Sequence, residues 1–205
     1  MPEIAPLAPA HETGAVRRLL PRSERTASIR RAAATAFAAA GYSATSMEDV
    51  ASQACVSKVL VYRHFESKEQ LYRQVLERVF SRLSEEFDAG MAANEDGVAA
   101  RTHVTVARED PDAYRLLWQH AEREEPFASY AREIRAAVVA VADELVGDTL
   151  DPPHDPWALR VLVDLLVDSV LVWLDEGDPA GDVEAVERIS RVLGAVADAC
   201  TGQES

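Results

Sequence analysis

The stretch Thr45-Ser-Met-Glu-Asp-Val-Ala-Ser-Gln-Ala-Cys-Val-Ser-Lys-Val-Leu-Val-Tyr-Arg-His-Phe-Glu-Ser-Lys68 decides the fold. Ser46 with Asp49 three residues on is a Ser-x-x-Asp variant of the capping box, so a short helix starts at Met47 and runs to about Ala54. Val50, Ala51 and Ala54 point inward, and the small Ala51 lets a second helix cross closely. A three-residue turn, Cys55–Ser57, separates the two. The next helix starts after Ser57 and runs to about His64; Val61 and Phe65, spaced i,i+4, face the core, and Val56 packs at the turn. Its opposite face presents Lys58, Val59, Tyr62 and Arg63. An apolar back and a polar front are what a recognition helix needs to enter a major groove.

Outward from this motif the chain reads as helical throughout, and no strand alternation persists. Upstream, Ile29, Ala33, Ala36, Phe37 and Ala40 share one face of a helix from Glu24 to Ala40, with Gly41 as its stop. Downstream, Ser67 caps a helix from Lys68 to about Met91. Further helices are expected over Asn94–Arg108, Asp112–Arg123, Pro126–Val146, Pro156–Asp175 and Asp182–Ala199. The sum is an all-α protein of about nine helices. Residues 1–22 are expected to form a flexible tail, residues 23–70 a three-helix helix-turn-helix domain and residues 71–205 a larger helical domain.

The chain has 205 residues and a formal charge of −14. The distribution matters more than the sum: residues 17–68 hold nine Lys and Arg against four acids, and residues 73–205 hold twelve Arg against 28 acids. With screening over about 8 Å at physiological salt, a basic face on the first segment binds phosphate despite a distant acidic domain. Cys55 and Cys200 form neither a metal motif nor a disulfide framework, and the chain reads as cytoplasmic. Arg160, Asp164 and Asp168 interrupt the apolar run Trp157–Leu174, which makes it a buried helix and not a membrane span. There is no Ser/His/Asp arrangement, Gly-rich phosphate loop or metal cluster, so no catalytic residue, metal or cofactor is expected.

Phe37, Gly41-Tyr42, Thr45-Ser46, Asp49-Val50-Ala51, Val56-Ser57-Lys58, Tyr62-Arg63-His64-Phe65, Ser67-Lys68 and Leu71 together resemble the TetR/AcrR family of bacterial transcriptional regulators. The resemblance covers about Arg25 to Tyr72. It departs at Cys55, where the family usually has Gly, and at Val59, where Gly or Pro is common. A Cys at that turn must adopt a left-handed conformation or relax the turn. The resemblance implies a sequence-specific regulator of transcription, a homodimeric repressor released from a palindromic operator by a small-molecule effector. A ligand-blind or activating regulator and, in a different class, a helical protein-interaction module remain alternatives.

By physical type, Thr45 and Ser46 at a helix start suit a phosphate, and Lys68, opening the next helix, pairs with a backbone phosphate; Tyr62 and His64 resemble the family's phosphate contacts. Lys58 and Arg63 are candidates for guanine edges, Val59 and Leu60 for thymine methyls, and Met47 for a base. Ser57, at the start of the recognition helix, completes this set. The resemblance also implies an effector pocket in the middle helices, for which Phe87, Met91, His103, Tyr114, Trp118, His120 and Trp173 are candidates. It implies a dimeric four-helix bundle built by the last two helices, with Leu162, Leu166, Trp173, Val186, Ile189, Leu193 and Val196 as its expected seam.

Overall fold

The computed structural model describes residues 21–201, and among them regular structure is entirely helical. The expected tail over residues 1–22 therefore lies outside the described residues, except for Pro21 and Arg22. α1 spans Arg22–Ala44, but Gly41 (φ 81°, ψ 164°) interrupts it, so the regular helix ends where the glycine was expected to stop it. α2 (Met47–Gln53) opens on the capping box read from the sequence: Asp49 N–H donates to Ser46 Oγ at 3.2 Å, and Ser46 N–H to the Asp49 carboxylate at 2.8 Å. α3 (Lys58–His64) and α4 (Lys68–Ala92) are capped by Ser57 and Ser67. α4 runs unbroken through the boundary expected at residues 70 and 71. It packs on α1 at one end and on α5 at the other, so one rigid element joins the two halves.

α5 (Val98–Glu109) starts later than the expected Asn94, because Asn94 (φ 53°) and Gly97 (φ 64°) both adopt left-handed backbone that a helix cannot contain. The helix expected over Asp112–Arg123 is present but changes register. α6 (Pro111–Arg115) gives way to a π turn, Leu116–His120, and then to a 3₁₀ turn, Ala121–Arg123. α7 spans Ala128–Val146, with Pro126 in the preceding turn and not in its first turn as expected. α8 (Pro156–Glu176) starts at Pro156 with Asp155 as its cap, and α9 spans Asp182–Ala199.

One core runs from the helix-turn-helix motif into the larger half. At the junction Tyr72 stacks on Phe127 with ring centres 4.2 Å apart, and Tyr42 meets Phe127 edge-on at 4.9 Å. Two polar contacts cross the same junction: the Tyr42 amide donates to Glu124 Oε1 at 3.0 Å, and the Thr35 hydroxyl to Asp112 at 2.7 Å. The turn after the π segment is thus fastened to the backbone just ahead of α2.

Candidate nucleic-acid interface and effector cavity

α3 is sided as its sequence demands. Val61 and Phe65 are fully buried beneath it, while Val59 is 70% and Tyr62 48% exposed on its front. Arg63 is exposed beside them and has no carboxylate partner among the described residues. Lys58 Nζ lies 3.2 Å from Glu48, with both side chains open to water. Such a pair holds weakly and yields readily to a phosphate or a guanine edge. Ser46 and Ser57 are exposed at the starts of α2 and α3, and Leu60 is half-buried behind Val59.

His64 ends α3 with Nδ1 2.8 Å from the Thr26 hydroxyl, which brings the start of α1 against the end of α3. Burial lowers the His64 pKa, and the charges of Arg22, Arg25 and Arg63 lower it further. This neighbourhood adds Arg22 and Arg25 to the candidate DNA-facing set. In the sequence they were visible only as part of the basic count, because nothing local tells that α1 starts beside the end of α3.

Three expected DNA contacts sit elsewhere. Met47 is only 5% exposed and belongs to the core, since the first residue of α2 points back beneath α1. Thr45 is buried, and its hydroxyl donates to the Gly41 carbonyl at 2.7 Å, closing the turn after α1. Lys68 turns inward: its ammonium donates to the carbonyls of Tyr42 at 2.8 Å and Thr45 at 2.9 Å, and lies 4.3 Å from the centre of the Tyr42 ring. The turn those carbonyls belong to would otherwise leave them without donors, so the lysine is a tie and not a free cation. Cys55 adopts the left-handed conformation (φ 53°) that its position requires.

The largely apolar cavity of the second half, about 170 Å³, lies between α4, α5, α7 and α8. Leu83 and Phe87 of α4, Val138 and Val141 of α7, and Val163 and Leu166 of α8 form most of its wall, with Thr102 and His103 of α5. Exposed Ser84, Asp88 and Leu145 mark its mouth. Of the expected pocket residues, Phe87 and His103 line it. Tyr114 stands behind His103, its hydroxyl 2.8 Å from Nδ1, and Trp118 packs under the Arg135 guanidinium. Met91 is exposed past the mouth, His120 lies on the π turn, and Trp173 donates to Asp182 at 2.7 Å to lock α8 to α9. The rest of the wall is mostly aliphatic, and in the sequence such side chains do not stand apart from ordinary core.

The expected dimer seam divides in two. Leu162, Leu166, Val186 and Ile189 are buried in the chain's own core, where α8 and α9 pack on α5 and on each other, while Leu193, Val196 and Trp173 are half-buried. The outward face of α8 is a different stripe: Trp157 (66% exposed), Val161, Leu165 and Val172 (61% exposed), with Asp168 among them. Val192, Ala195 and Ala199 are exposed on α9. A helix apolar nearly all round has two seams, and the sequence periodicity alone did not tell the inner from the outer.

A family model described as bacterial regulatory proteins, tetR family, matches residues 29–75. The HTH-type transcriptional activator FasR of Mycolicibacterium smegmatis is 31% identical over 176 residues, which span 82% of this chain and 80% of that protein. Two solved structures share the fold. The fatty acid degradation regulator FadR of Bacillus halodurans has a TM-score of 0.66 at 16% identity, over 85% of this chain and 96% of that one. AibR in complex with isovaleryl coenzyme A and operator DNA has a TM-score of 0.62 at 17% identity, over 82% and 97%. No helix among the described residues is long and apolar enough to cross a membrane.

Proposed function

The chain belongs to the tetR family of bacterial regulatory proteins, which makes it a transcriptional regulator, and from that premise we propose that it is a homodimeric repressor released from a palindromic operator by a small apolar effector. The observation that carries the reading is the front of α3, where Lys58, Val59, Tyr62 and Arg63 stand exposed over a fully buried Val61 and Phe65. In this reading Lys58 and Arg63 read guanine edges and Val59 and Leu60 meet thymine methyls. Tyr62, His64, Ser46, Ser57, Arg22 and Arg25 hold phosphates. Residues 23–70 act as the reading unit and residues 71–205 as the effector and dimer unit, coupled through α4 and the Glu124–Tyr42 contact.

The outer stripe of α8 with Val192, Ala195 and Ala199 of α9 forms the two-fold contact, which sets two α3 helices at half-sites of a palindrome. The effector occupies the cavity between α4, α5, α7 and α8. A cavity of this size holds a benzene-sized body, so the buried group is a short branched or cyclic one. AibR was crystallised with isovaleryl coenzyme A, whose acyl group is of that size. An effector acts only through unequal affinity for the operator-fitting and operator-misfitting arrangements of the dimer.

The test is to incubate the protein with sheared genomic DNA at two salt concentrations and sequence what it retains. A shared palindrome whose retention falls steeply with salt supports the reading; equal retention of all fragments, or none at low salt, sinks it. An activating role is the second reading, favoured by the name of the 31% identical relative. A reporter placed behind the recovered palindrome separates the two by the sign of its response.

A further inference from the structure

The cavity wall is aliphatic except at a few points, and one of them is a histidine with a free edge. His103 is 5% exposed, sits on the cavity wall from α5, and has its Nδ1 2.8 Å from the Tyr114 hydroxyl. Tyr114 is fully buried and does not line the cavity, so the Nδ1 edge of the ring is turned into the protein. Among the described residues no protein group hydrogen-bonds to Nε2. Among the described residues it is also not one of the fully enclosed polar atoms without a hydrogen bond, such as Tyr72 Oη and Trp118 Nε1. Its environment is therefore the cavity.

The direction of the inner hydrogen bond follows from accounting for protons. A buried phenol needs an acceptor for its O–H, and Nδ1 is the acceptor within reach of Tyr114. If Nδ1 carried the proton instead, the phenol O–H would be left without a partner. Tyr114 therefore donates, and the imidazole proton resides on Nε2. Burial holds the imidazole in its neutral form, with a pKa of about 4.

We propose that the Nε2–H of His103 is the hydrogen-bond donor that selects the effector, so that the ligand combines a short branched or cyclic apolar group with a carbonyl oxygen next to it. Tyr114 is the positioning residue that keeps the proton on the ring edge facing that oxygen. The cavity would accept a hydrocarbon of the same shape but would not prefer it. This inference rests on the reading of the cavity as the effector site.

The experiment uses two probes of nearly equal shape, cyclohexyl methyl ketone and isopropylcyclohexane, titrated into the full-length protein by ligand-observed NMR. The wild type is expected to bind the ketone. In His103→Leu the ketone should weaken by about tenfold or more, the effect of leaving its oxygen unpaired, while the hydrocarbon stays within about twofold. His103→Gln, which keeps a donor, should recover part of the ketone preference. In Tyr114→Phe the ring is free to move its proton to Nδ1, and the ketone should weaken with no change for the hydrocarbon. ¹⁵N spectra of the unliganded protein give a second reading: Nε2 should carry the proton and Nδ1 should not. A ketone-to-hydrocarbon ratio that is unchanged in His103→Leu overturns the role of His103 while leaving the cavity as a binding site. Failure of both probes to bind the folded wild type overturns the cavity reading and this inference with it.

Discussion

Lys68 and Tyr42 are joined twice: the lysine ammonium donates to the Tyr42 carbonyl at 2.8 Å and lies 4.3 Å from the centre of the Tyr42 ring. With the Thr45 carbonyl at 2.9 Å, this consumes the donors that would otherwise face a phosphate. Replacing the lysine by Met removes a charged donor from two part-buried carbonyls. The expected outcome is a loss of about 1.5–3 kcal/mol in chemical denaturation, with DNA binding weakened only as far as the fold is. The slope of log affinity against log salt should not change, since no phosphate contact is lost. A shallower slope at unchanged stability would return Lys68 to the DNA-contacting set.

Arg63 is the contrasting case, exposed on α3 and without a carboxylate partner among the described residues. Arg63→Ala should leave the melting temperature within about 1 °C and weaken operator binding by about 1–3 kcal/mol, as expected for a lost base contact. Selection of binding sites with the variant should show relaxed preference at one position per half-site. If affinity falls equally for all sequences, Arg63 contacts the backbone and not a base.

At Cys55 the chain takes a left-handed turn (φ 53°) that a side chain disfavours. Cys55→Gly removes that strain, and the expected gain is about 1 kcal/mol, or roughly 2–4 °C in melting temperature for a chain of this size. Cys55→Val should move the melting temperature the other way. A glycine variant no more stable than the wild type would mean that the neighbouring residues have already relaxed around the cysteine.

Local rules carried the reading furthest where the physics is local. The Ser46–Asp49 capping box, the Gly41 stop and the Val61/Phe65 back of α3 are decided by residues within a few positions of one another, and all are legible in the sequence. Lys68 and Trp173 have roles set by groups 26 and 9 residues away, the Tyr42 carbonyl and Asp182, and Met47 by the core it joins; no local spacing rule reaches them. The same holds for the cavity, whose wall is assembled from four helices, and for α8, whose two apolar stripes become distinguishable only once α5 and α9 cover one of them.

The buried His103 predicts a pH dependence. Its folded pKa is about 4, below the value near 6.5 expected for an unfolded chain. The unfolded state therefore takes up a proton as the pH falls through 6.5, and the folded state does not until the pH approaches 4. Stability is retained above that window and lost within it, by up to about 3 kcal/mol for this one group. His64 is shifted in the same direction, so the clean quantity is a difference. Tyr114, on Nδ1 of His103, does not titrate in this range, and Asp88 lines the same cavity. Denaturation of the wild type and of His103→Gln at pH 7 and pH 4.5 should show the wild type losing more stability than the variant; equal losses would mean that His103 is protonated in the folded state.

The two stripes of α8 make opposite predictions, which allows the dimer to be tested without confusing assembly with folding. Val172 lies on the outer stripe, 61% exposed in the single chain, so Val172→Glu leaves the chain's own core untouched. In the proposed dimer, however, it places a charge in an apolar contact. Sedimentation should then show a folded monomer at micromolar concentration, with affinity falling steeply for a full palindrome and little for a half-site. Leu162, on the inner stripe of α8, and Ile189, on the covered face of α9, are buried against the chain itself, so truncation to Ala should lower stability by about 2–5 kcal/mol and reach the dimer only through unfolding. A Val172→Glu variant that remains a dimer would exclude the outer face of α8 from the contact and move it to another surface of the chain.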